Sequence, residues 1–254
     1  MTTPLVSHPR GGYEFLPGID PYSSGVVANP GMEIVHVSLS GSLPWLVGLQ
    51  RVRSFLERIG QARHSLCGVE LRCPEPHSMN GFIKFNEHYQ QLLQEWEMFV
   101  DGLNPVARTN VAPVESPPQE TMLFGFSYTR PSDHHHPTFV VAGGGELPHR
   151  ELDSRHIVRL GDTRTAAMLE KVRCVLGIMQ HRLDRLGMKA VDISATDVYT
   201  AQPLFESLTE VIVAEIDAVP HHGVRWFYAR PPIEGIEFEM DLRGVRQENV
   251  VDLV

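Results

Sequence analysis

The same order of predicted elements occurs twice along the chain, and this repeat constrains the fold more than any other feature. Residues 20–130 read as a hairpin, an amphipathic helix, an alternating strand, a second helix and two closing strands, and residues 137–243 repeat that order. Each unit is long enough to hold its own sheet and two helices, which indicates a duplicated domain rather than a solenoid. We therefore predict an α+β fold with two tandem ββαβαββ domains, each a sheet with helices on one face.

Residue patterns give the expected bounds of these elements. Apolar residues at three- and four-residue steps predict helices, whereas alternation over short runs predicts strands. The predicted helices are Leu43–Ile59, Phe85–Phe99, Thr165–Leu186 and Leu204–Val219. The predicted strands are Gly25–Ala28, Ile34–Leu39, Leu66–Cys73, Arg108–Val114, Leu123–Tyr128, Val191–Thr200, Val224–Ala229 and Ile236–Leu242.

The domain boundaries follow from breaks in these patterns. Residues 1–19 are rich in glycine and proline and predict an N-terminal arm that runs over the surface, followed by domain 1 at residues 20–130. Residues 131–137 carry two prolines and no periodicity, so they predict a linker, and residues 138–254 form domain 2. Helices on one face leave the other face of each sheet apolar. We expect that face to pack against a sheet of the other domain or of another chain.

Composition limits the class of partner and the compartment. The formal net charge of −9 argues against non-specific binding to nucleic acid or to an anionic membrane. Three cysteines without a CxxC pair favour a reducing interior. The N-terminus lacks the apolar segment of a signal peptide, and no run of 18 apolar residues occurs. We therefore expect a soluble cytoplasmic protein that acts on a small molecule.

Two histidine clusters and a glycine triplet invite a binding interpretation. Consecutive histidines on a loop point in different directions, so His134–His136 and His221-His222 favour solvated loops over a metal site. Gly143–Gly145 lacks the spacing of a phosphate-binding loop and favours a backbone turn. No GxSxG motif is present and the cysteines fall within predicted core elements, which disfavours nucleophilic catalysis. We expect neither a metal nor another cofactor.

One arginine and one acidic row carry more information. Arg108 opens a strand just after a helix and a turn, where it is either a surface arginine paired with a carboxylate or a fork for a substrate carboxylate. Glu237, Glu239 and Asp241 share one strand face by the two-residue period. Such a row is either a solvated edge or a carboxylate cluster in which repulsion raises one pKa into the range of acid–base catalysis. Periodicity alone does not decide between these alternatives.

Short segments spread over both repeats resemble the RidA (YjgF) family. They occur in the order found in that family, over about residues 20–243. In the first repeat the segments are Asp20–Gly25 (DPYSSG), Val37-Ser38, Phe82–Tyr89 (FIKFNEHY) and Pro105–Arg108; in the second they are Asp197–Thr200 (DVYT) and Pro231–Glu239.

The resemblance implies a chorismate-mutase-like trimeric barrel, which for this double-length chain means a homotrimer of six repeat units. It also implies active sites in clefts between units and cofactor-free deamination of enamines or imines of amino acids. Arg108 matches the family's carboxylate-binding arginine, Glu239 the glutamate that handles the water, and Tyr22 a pocket tyrosine. Arg225, Ser38 and Glu237 are further candidates for substrate contact.

Each repeat departs from the family pattern at one position. The first has Phe126 where the glutamate would fall, and the second has His222-Gly223 where the arginine would fall, with Arg225 nearby. Either both sites are inactive, or the repeats have specialised and share one site. A double-length chain of this kind also resembles the 2-aminomuconate deaminases of aromatic-compound breakdown. We therefore expect a deaminase of a carboxylic enamine, with a chorismatase-like hydrolase and a non-catalytic carboxylate-binding protein as alternatives.

Overall fold

Two β-sheets form the centre of the computed structural model, which describes residues 4–148, 152–207, 211–216 and 219–253. The strands are β1 (Val6–His8), β2 (Tyr13–Leu16), β3 (Gly25–Ala28), β4 (Met32–Pro44), β5 (Leu66–Arg72), β6 (Ala107–Pro113), β7 (Met122–Pro131), β8 (Phe139–Gly145), β9 (Ala195–Tyr199), β10 (Arg225–Phe227), β11 (Ala229–Arg230), β12 (Glu239–Gly244) and β13 (Glu248–Val251). The longer helices are α1 (Trp45–Arg58), α2 (Met79–Glu95) and α3 (Thr165–Leu186). Short helical segments cover Arg63–Ser65, Ser154–His156, Ala190–Asp192, Phe205–Ser207, Val213–Glu215 and Val219–His222.

Each sheet takes strands from both halves of the chain. The first sheet has the order β11-β6-β5-β7-β4-β13, and the second has the order β1-β2-β3-β8-β12-β9-β10. β3 pairs with β8 and not with β4, which follows it in sequence. The predicted hairpin of Gly25–Ala28 with Ile34–Leu39 is therefore wrong in its pairing, although both segments are strands. Because β7 and β13 already flank β4, β3 extends the second sheet instead.

The N-terminal residues belong to the second sheet and do not form the predicted surface arm. β1 pairs with β2 and β2 pairs with β3, both in antiparallel register. Tyr13 and Phe15 are fully buried on one face of β2, and the Tyr13 hydroxyl donates a hydrogen bond to the Leu66 carbonyl at 3.1 Å. The domain and linker boundaries stay a prediction, because strands from each terminus cross to the sheet of the other half.

Local signals explain where the helices begin and end. Gly60 and Gly187 follow α1 and α3 with φ angles of 75° and 74°, a conformation that glycine adopts without strain. The Ser78 side chain accepts a hydrogen bond from the Gly81 backbone N–H at 3.1 Å. This N-cap makes α2 begin directly after Ser78, earlier than the predicted start at Phe85.

The helices cover the outer faces of the two sheets. The core between α1, α2 and the first sheet includes Leu49, Val52, Leu56, Val69, Leu71, Tyr89, Leu93 and Phe126. The core between α3 and the second sheet includes Phe139, Val172, Val175, Met179, Leu183, Val198 and Met240. The predicted helix Leu204–Val219 is represented by short segments, and residues 208–210 and 217–218 lie outside the described part of the chain. Among the described residues, no helix has the length and apolar character needed to span a bilayer.

The inner faces of the two sheets pack against each other within the chain. One apolar cluster joins both sheets and includes Tyr13, Phe15, Val26, Ala28 and Ala142 from the second sheet and Ile34, Cys67 and Ala107 from the first. Beyond this cluster the interface is polar: the Oγ1 of Thr109 in β6 donates a hydrogen bond to the Oδ2 of Asp241 in β12 at 2.7 Å. The face of each sheet that no helix covers is therefore buried against the other sheet.

A buried ion pair connects α3 to the start of β12. The Lys171 ammonium lies 2.9 Å from the Glu146 carboxylate, and both side chains are fully buried. Glu146 also accepts hydrogen bonds from the backbone N–H groups of Glu237 and Phe238, at 2.7 and 3.0 Å. Because Phe238 directly precedes β12, the ion pair fixes the point at which this strand begins.

Replacing Lys171 with methionine should lower the free energy of unfolding by about 3–5 kcal/mol, because the buried Glu146 carboxylate loses its counterion. Denaturant titration measures the change. The matched control is Arg159→Met, which breaks the half-exposed pair Arg159–Glu170 and should cost at most about 1 kcal/mol. Equal losses in the two variants would contradict a structural role for the buried pair.

Candidate functional site

A cavity at the junction of the two sheets is lined by residues of both. Its enclosed volume is about 120 Å³, and its mouth opens to solvent. β6 contributes Arg108 and Asn110, β8 contributes Gly143–Gly145, β12 contributes Glu239 and α3 contributes Arg182. The arginine and the glutamate singled out from the sequence, one from each repeat, therefore line the same cavity.

Arg108 is almost completely buried among aromatic rings. Its Nη2 donates a hydrogen bond to the Oδ1 of Asn86 at 2.7 Å. Its guanidinium carbon lies 4.6–5.7 Å from the ring centroids of Tyr22, Phe82, Phe85 and Tyr89. Burial lowers the pKa of Arg108, yet a guanidinium stays charged at neutral pH. Its Nη1 has no hydrogen-bond partner among the described residues, so this group can bind a ligand carboxylate.

Glu239 places a buried carboxyl group at the same cavity. Only 5% of the residue is exposed. Burial is the main cause that raises its pKa to about 8; the charge of Asp241 raises the pKa further, while Arg182 and Arg108 act in the opposite direction. Glu239 is therefore largely protonated at neutral pH, and it can act first as a general acid and then as a base.

Asp241, on the same face of β12 as Glu239, is held by hydrogen bonds from both sheets. The Thr109 Oγ1 and the Tyr199 hydroxyl both donate to its Oδ2, at 2.7 and 2.8 Å. The Thr109 Oγ1 in turn accepts a hydrogen bond from the Gly143 N–H at 3.1 Å. Burial is the largest cause of a raised pKa at Asp241, followed by two nearby carboxylates. These contacts tie β6, β8 and β12 together beside the cavity.

Gly143–Gly145 forms the end of β8 and is not the predicted turn. Side chains from other elements occupy the space that a Cβ atom would need: Glu239 lies over Gly143, Met179 and Arg182 lie over Gly144, and Ile236 lies over Gly145. The triplet therefore lets groups from α3 and from the segment around β12 approach the strand backbone. Glycine inside a strand often marks such close approach, and this signal could have located the cavity wall from the sequence.

Sequence reasoning missed two polar residues of the cavity, Arg182 and Asn110. The Arg182 Nη1 donates hydrogen bonds to the carbonyls of Ala142 and Gly143 at 2.7 and 3.2 Å. Asn110 is 3% exposed and follows Arg108 by two positions in β6, so the strand period places both on one face. The strand period could have identified Asn110 as a neighbour of Arg108 in the site. The position of Arg182 beside the apolar stripe of α3 could have indicated that it faces the sheet.

The other predicted site residues divide between the cavity and more distant positions. Tyr22 lines the cavity. Arg225 does not: it lies opposite Asp197 on the neighbouring strand, and its Nε donates to the Asp197 Oδ1 at 2.6 Å. Ser38 lies within β4, between β7 and β13. Glu237 precedes β12, where the two-residue period no longer applies, and accepts a hydrogen bond from a glutamine side chain at 3.0 Å.

Three buried carboxylates come close enough to share a cation. Oxygen atoms of Glu70, Asp197 and Asp241 lie within 4.8 Å of one another. The Arg243 Nη1 lies 2.9 Å from Asp197, 3.5 Å from Glu70 and 3.6 Å from Asp241. The Arg243 guanidinium therefore lies among all three carboxylates, while Arg72 pairs with Glu70 and Arg225 with Asp197. The histidines of His134–His136 are exposed between β7 and β8, in keeping with the solvated loop.

Comparison with solved structures identifies a chorismatase and a YjgF protein. A chorismatase crystal structure covers 90% of this chain and 78% of its own, with a TM-score of 0.53 and 14% identity, which shows a common fold. The YjgF gene product of E. coli covers 43% of this chain and 81% of its own, with a TM-score of 0.28 and 16% identity. The α+β fold class predicted from the sequence is confirmed.

Sequence comparison identifies nearer relatives. Residues 5–249 match the family described as 2-aminomuconate deaminase CnbZ. The 2-amino-5-chloromuconate deaminase of Comamonas testosteroni is 37% identical over 248 residues, which are 95% of this chain and 96% of that protein. With a match over nearly its whole length, the chain belongs to the 2-aminomuconate deaminase family.

Proposed function

We propose that the protein is a cofactor-free hydrolytic deaminase that converts 2-aminomuconate, or a substituted 2-aminomuconate, to the 2-oxo acid and ammonia. One observation carries the proposal: Arg108 and Glu239, a carboxyl group whose pKa burial raises, come from different repeats and line one cavity. Family membership supports the reaction, and the Comamonas relative supports the substrate class. A muconate is the diacid left when an aromatic ring is opened, so we also place the reaction in aromatic-compound breakdown.

The cavity offers complementary groups for such a substrate. The Nη1 of Arg108 binds the carboxylate beside the amino group. Arg182 binds the distal carboxylate. Arg225, the second arginine that the sequence offered for substrate contact, lies outside the cavity. Between them, apolar side chains such as Ile178 and Ile236 contact the diene.

The reaction needs one group that both gives and takes protons. Protonated Glu239 donates its proton to a diene carbon, which converts the enamine to an iminium ion. The resulting carboxylate takes a proton from water as the water oxygen bonds to C2. Glu239 then protonates the amino group, the C–N bond breaks, and the proton of the new hydroxyl returns to Glu239. Enamine and water become 2-oxo acid and ammonia, and Glu239 ends in its starting state.

Substrate orientation by the arginines and proton transfer by Glu239 each make a contribution of known size to the rate. Holding the substrate in a reactive orientation through its carboxylates can remove ~7–11 kcal/mol of the barrier. Proton transfer by a positioned carboxyl group contributes about 10²–10⁴-fold in rate. Burial of Glu239 keeps its pKa close to the working pH, where one group serves best as both acid and base.

Replacing Glu239 with glutamine should lower the rate of ammonia release from 2-aminomuconate by about 10²–10⁴-fold, because the amide cannot exchange protons. The assay uses enzyme treated with EDTA, in which wild-type activity should persist. Glu237→Gln is the matched control, since Glu237 lies outside the cavity, and it should keep near-normal activity. Equal activity of Glu239→Gln and wild type would remove Glu239 from the mechanism.

The same assay separates the alternative functions. A chorismatase-like hydrolase, on a fold shared with the chorismatase structure, would release pyruvate from chorismate and no ammonia from 2-aminomuconate. A binding protein would be stabilised against heat by small carboxylates without turning over either compound.

The pH dependence follows from the raised pKa of Glu239. Because the first step needs the protonated carboxyl group, kcat/KM should fall as the pH rises through about 8. In Asp241→Asn, removal of the adjacent negative charge lowers the pKa of Glu239, so the fall should move to lower pH. A wild-type rate that rises through pH 8 would mean that Glu239 enters the reaction as a base.

We also propose that three chains associate, as the RidA resemblance implies. The proposal is supported by the edge strand β10 of the second sheet: Trp226 within it is 49% exposed, and Tyr228 directly after it is 48% exposed. Light scattering should give the mass of three chains, and the double variant Trp226→Glu/Tyr228→Glu should give the mass of one. That variant should still release ammonia, since Arg108 and Glu239 lie in the same chain. A monomeric wild type would contradict the proposal.

A further inference from the structure

Asn110 is a buried polar side chain whose hydrogen-bonding capacity is unused. The residue is 3% exposed and lines the cavity. Neither its Nδ2 nor its Oδ1 has a hydrogen-bond partner within the described ranges. Buried amide groups are nearly always paired in native proteins, so a donor and an acceptor left open at a cavity indicate a ligand that carries both complements.

The unpaired Nη1 of Arg108, which lies near Asn110 in β6, indicates which part of a ligand Asn110 contacts. Arg108 lies two residues earlier on the same strand face, about 7 Å away along the strand. Its Nη1 is also without a partner in the described part of the chain. Together the two side chains offer N–H donors suited to a carboxylate, on Arg108 Nη1 and Asn110 Nδ2, and one acceptor, Asn110 Oδ1. A planar acid with nitrogen on the carbon next to its carboxylate supplies the matching groups in the same order.

We propose that Asn110 is the residue by which the site distinguishes nitrogen from oxygen at C2 of its ligand. The Nδ2 of Asn110 donates to the carboxylate that Arg108 binds, which leaves Oδ1 facing C2. An amino or imino N–H at C2 donates a hydrogen bond to Oδ1. A 2-oxo group has no hydrogen to donate and places a second acceptor against Oδ1.

This assignment extends the proposed function, on which its biological meaning rests. The substrate of a deaminase carries N–H at C2, whereas its product carries a carbonyl oxygen at the same position. Rotating the amide of Asn110 by 180° would suit the carbonyl but would turn Oδ1 toward the carboxylate. Asn110 therefore favours substrate over product and limits product inhibition.

The test uses two stable ring acids of nearly equal shape. Pyrrole-2-carboxylate carries an N–H donor beside its carboxylate, whereas furan-2-carboxylate carries an acceptor oxygen there. Calorimetry should show that wild-type protein binds the pyrrole acid about tenfold more tightly, the effect of one hydrogen bond. In Asn110→Leu the two dissociation constants should agree within about twofold. In Arg108→Met both should rise by a similar factor, with the preference for pyrrole retained.

Each outcome decides the inference separately from the proposed function. Equal binding of the two acids by wild type, binding of neither, or an unchanged preference in Asn110→Leu would overturn it. Should Asn110→Leu fail to fold, as judged by its melting temperature, the wild-type preference and Asn110→Ser supply the same comparison. A pyrrole preference that depends on Asn110, in a protein that releases no ammonia from 2-aminomuconate, would refute the deaminase and leave the role of Asn110 in place.

Discussion

The hydrogen bond from Thr109 to Asp241 is the contact on which the geometry of the cavity depends. It joins the first sheet to the second directly beside the two side chains that the proposed reaction needs. Thr109 follows Arg108 in β6, and Asp241 lies two residues beyond Glu239 on the same face of β12. Because side chains alternate along a strand, directing Thr109 toward the second sheet directs Arg108 toward the aromatic rings of α2. The register of β6 against β12 therefore sets the relation of arginine to glutamate.

The charges buried between the sheets determine what those groups can do. Arg243 pairs with three buried carboxylates and with the half-exposed Glu248, and a charge left uncompensated between the sheets is costly. Burial disfavours the charged form of a carboxyl group, and neighbouring carboxylates disfavour it further. Both effects raise the pKa of Asp241 and that of Glu239, two residues earlier on β12, so Glu239 is largely protonated near neutral pH. The acid required by the chemistry is thus a consequence of how the two sheets are packed.

Short-range patterns predicted the parts of the structure that short-range physics determines. The bounds Thr165–Leu186 of α3 follow from an apolar stripe and a terminal glycine, both visible in the sequence. The exchange of β3 and β13 between sheets was missed, because strand pairing is a choice among distant partners that periodicity does not rank. Strand position singled out Arg108 and Glu239, and a family resemblance supplied their roles. Asn110 and Arg182 belong to none of the motifs that pointed to the site. Their environment emerges only when β8, carrying Gly143–Gly145, lies against α3 and β12.

The duplicated chain also shows why one repeat can lose a functional group without loss of the fold. Phe126 occupies the position where the first repeat would carry its glutamate, and it is fully buried against Phe55 at a ring distance of 5.6 Å. In the second repeat Arg225 is bound by Asp197 and Glu248, and it joins the charge layer instead of a cavity. Both positions have become structural, one apolar and one ionic. Because one cavity uses Arg108 from the first repeat and Glu239 from the second, the equivalent positions in the opposite repeats are not needed for function and can stabilise the packing of the sheets. A protein built from identical units cannot do this, because each unit must keep both residues.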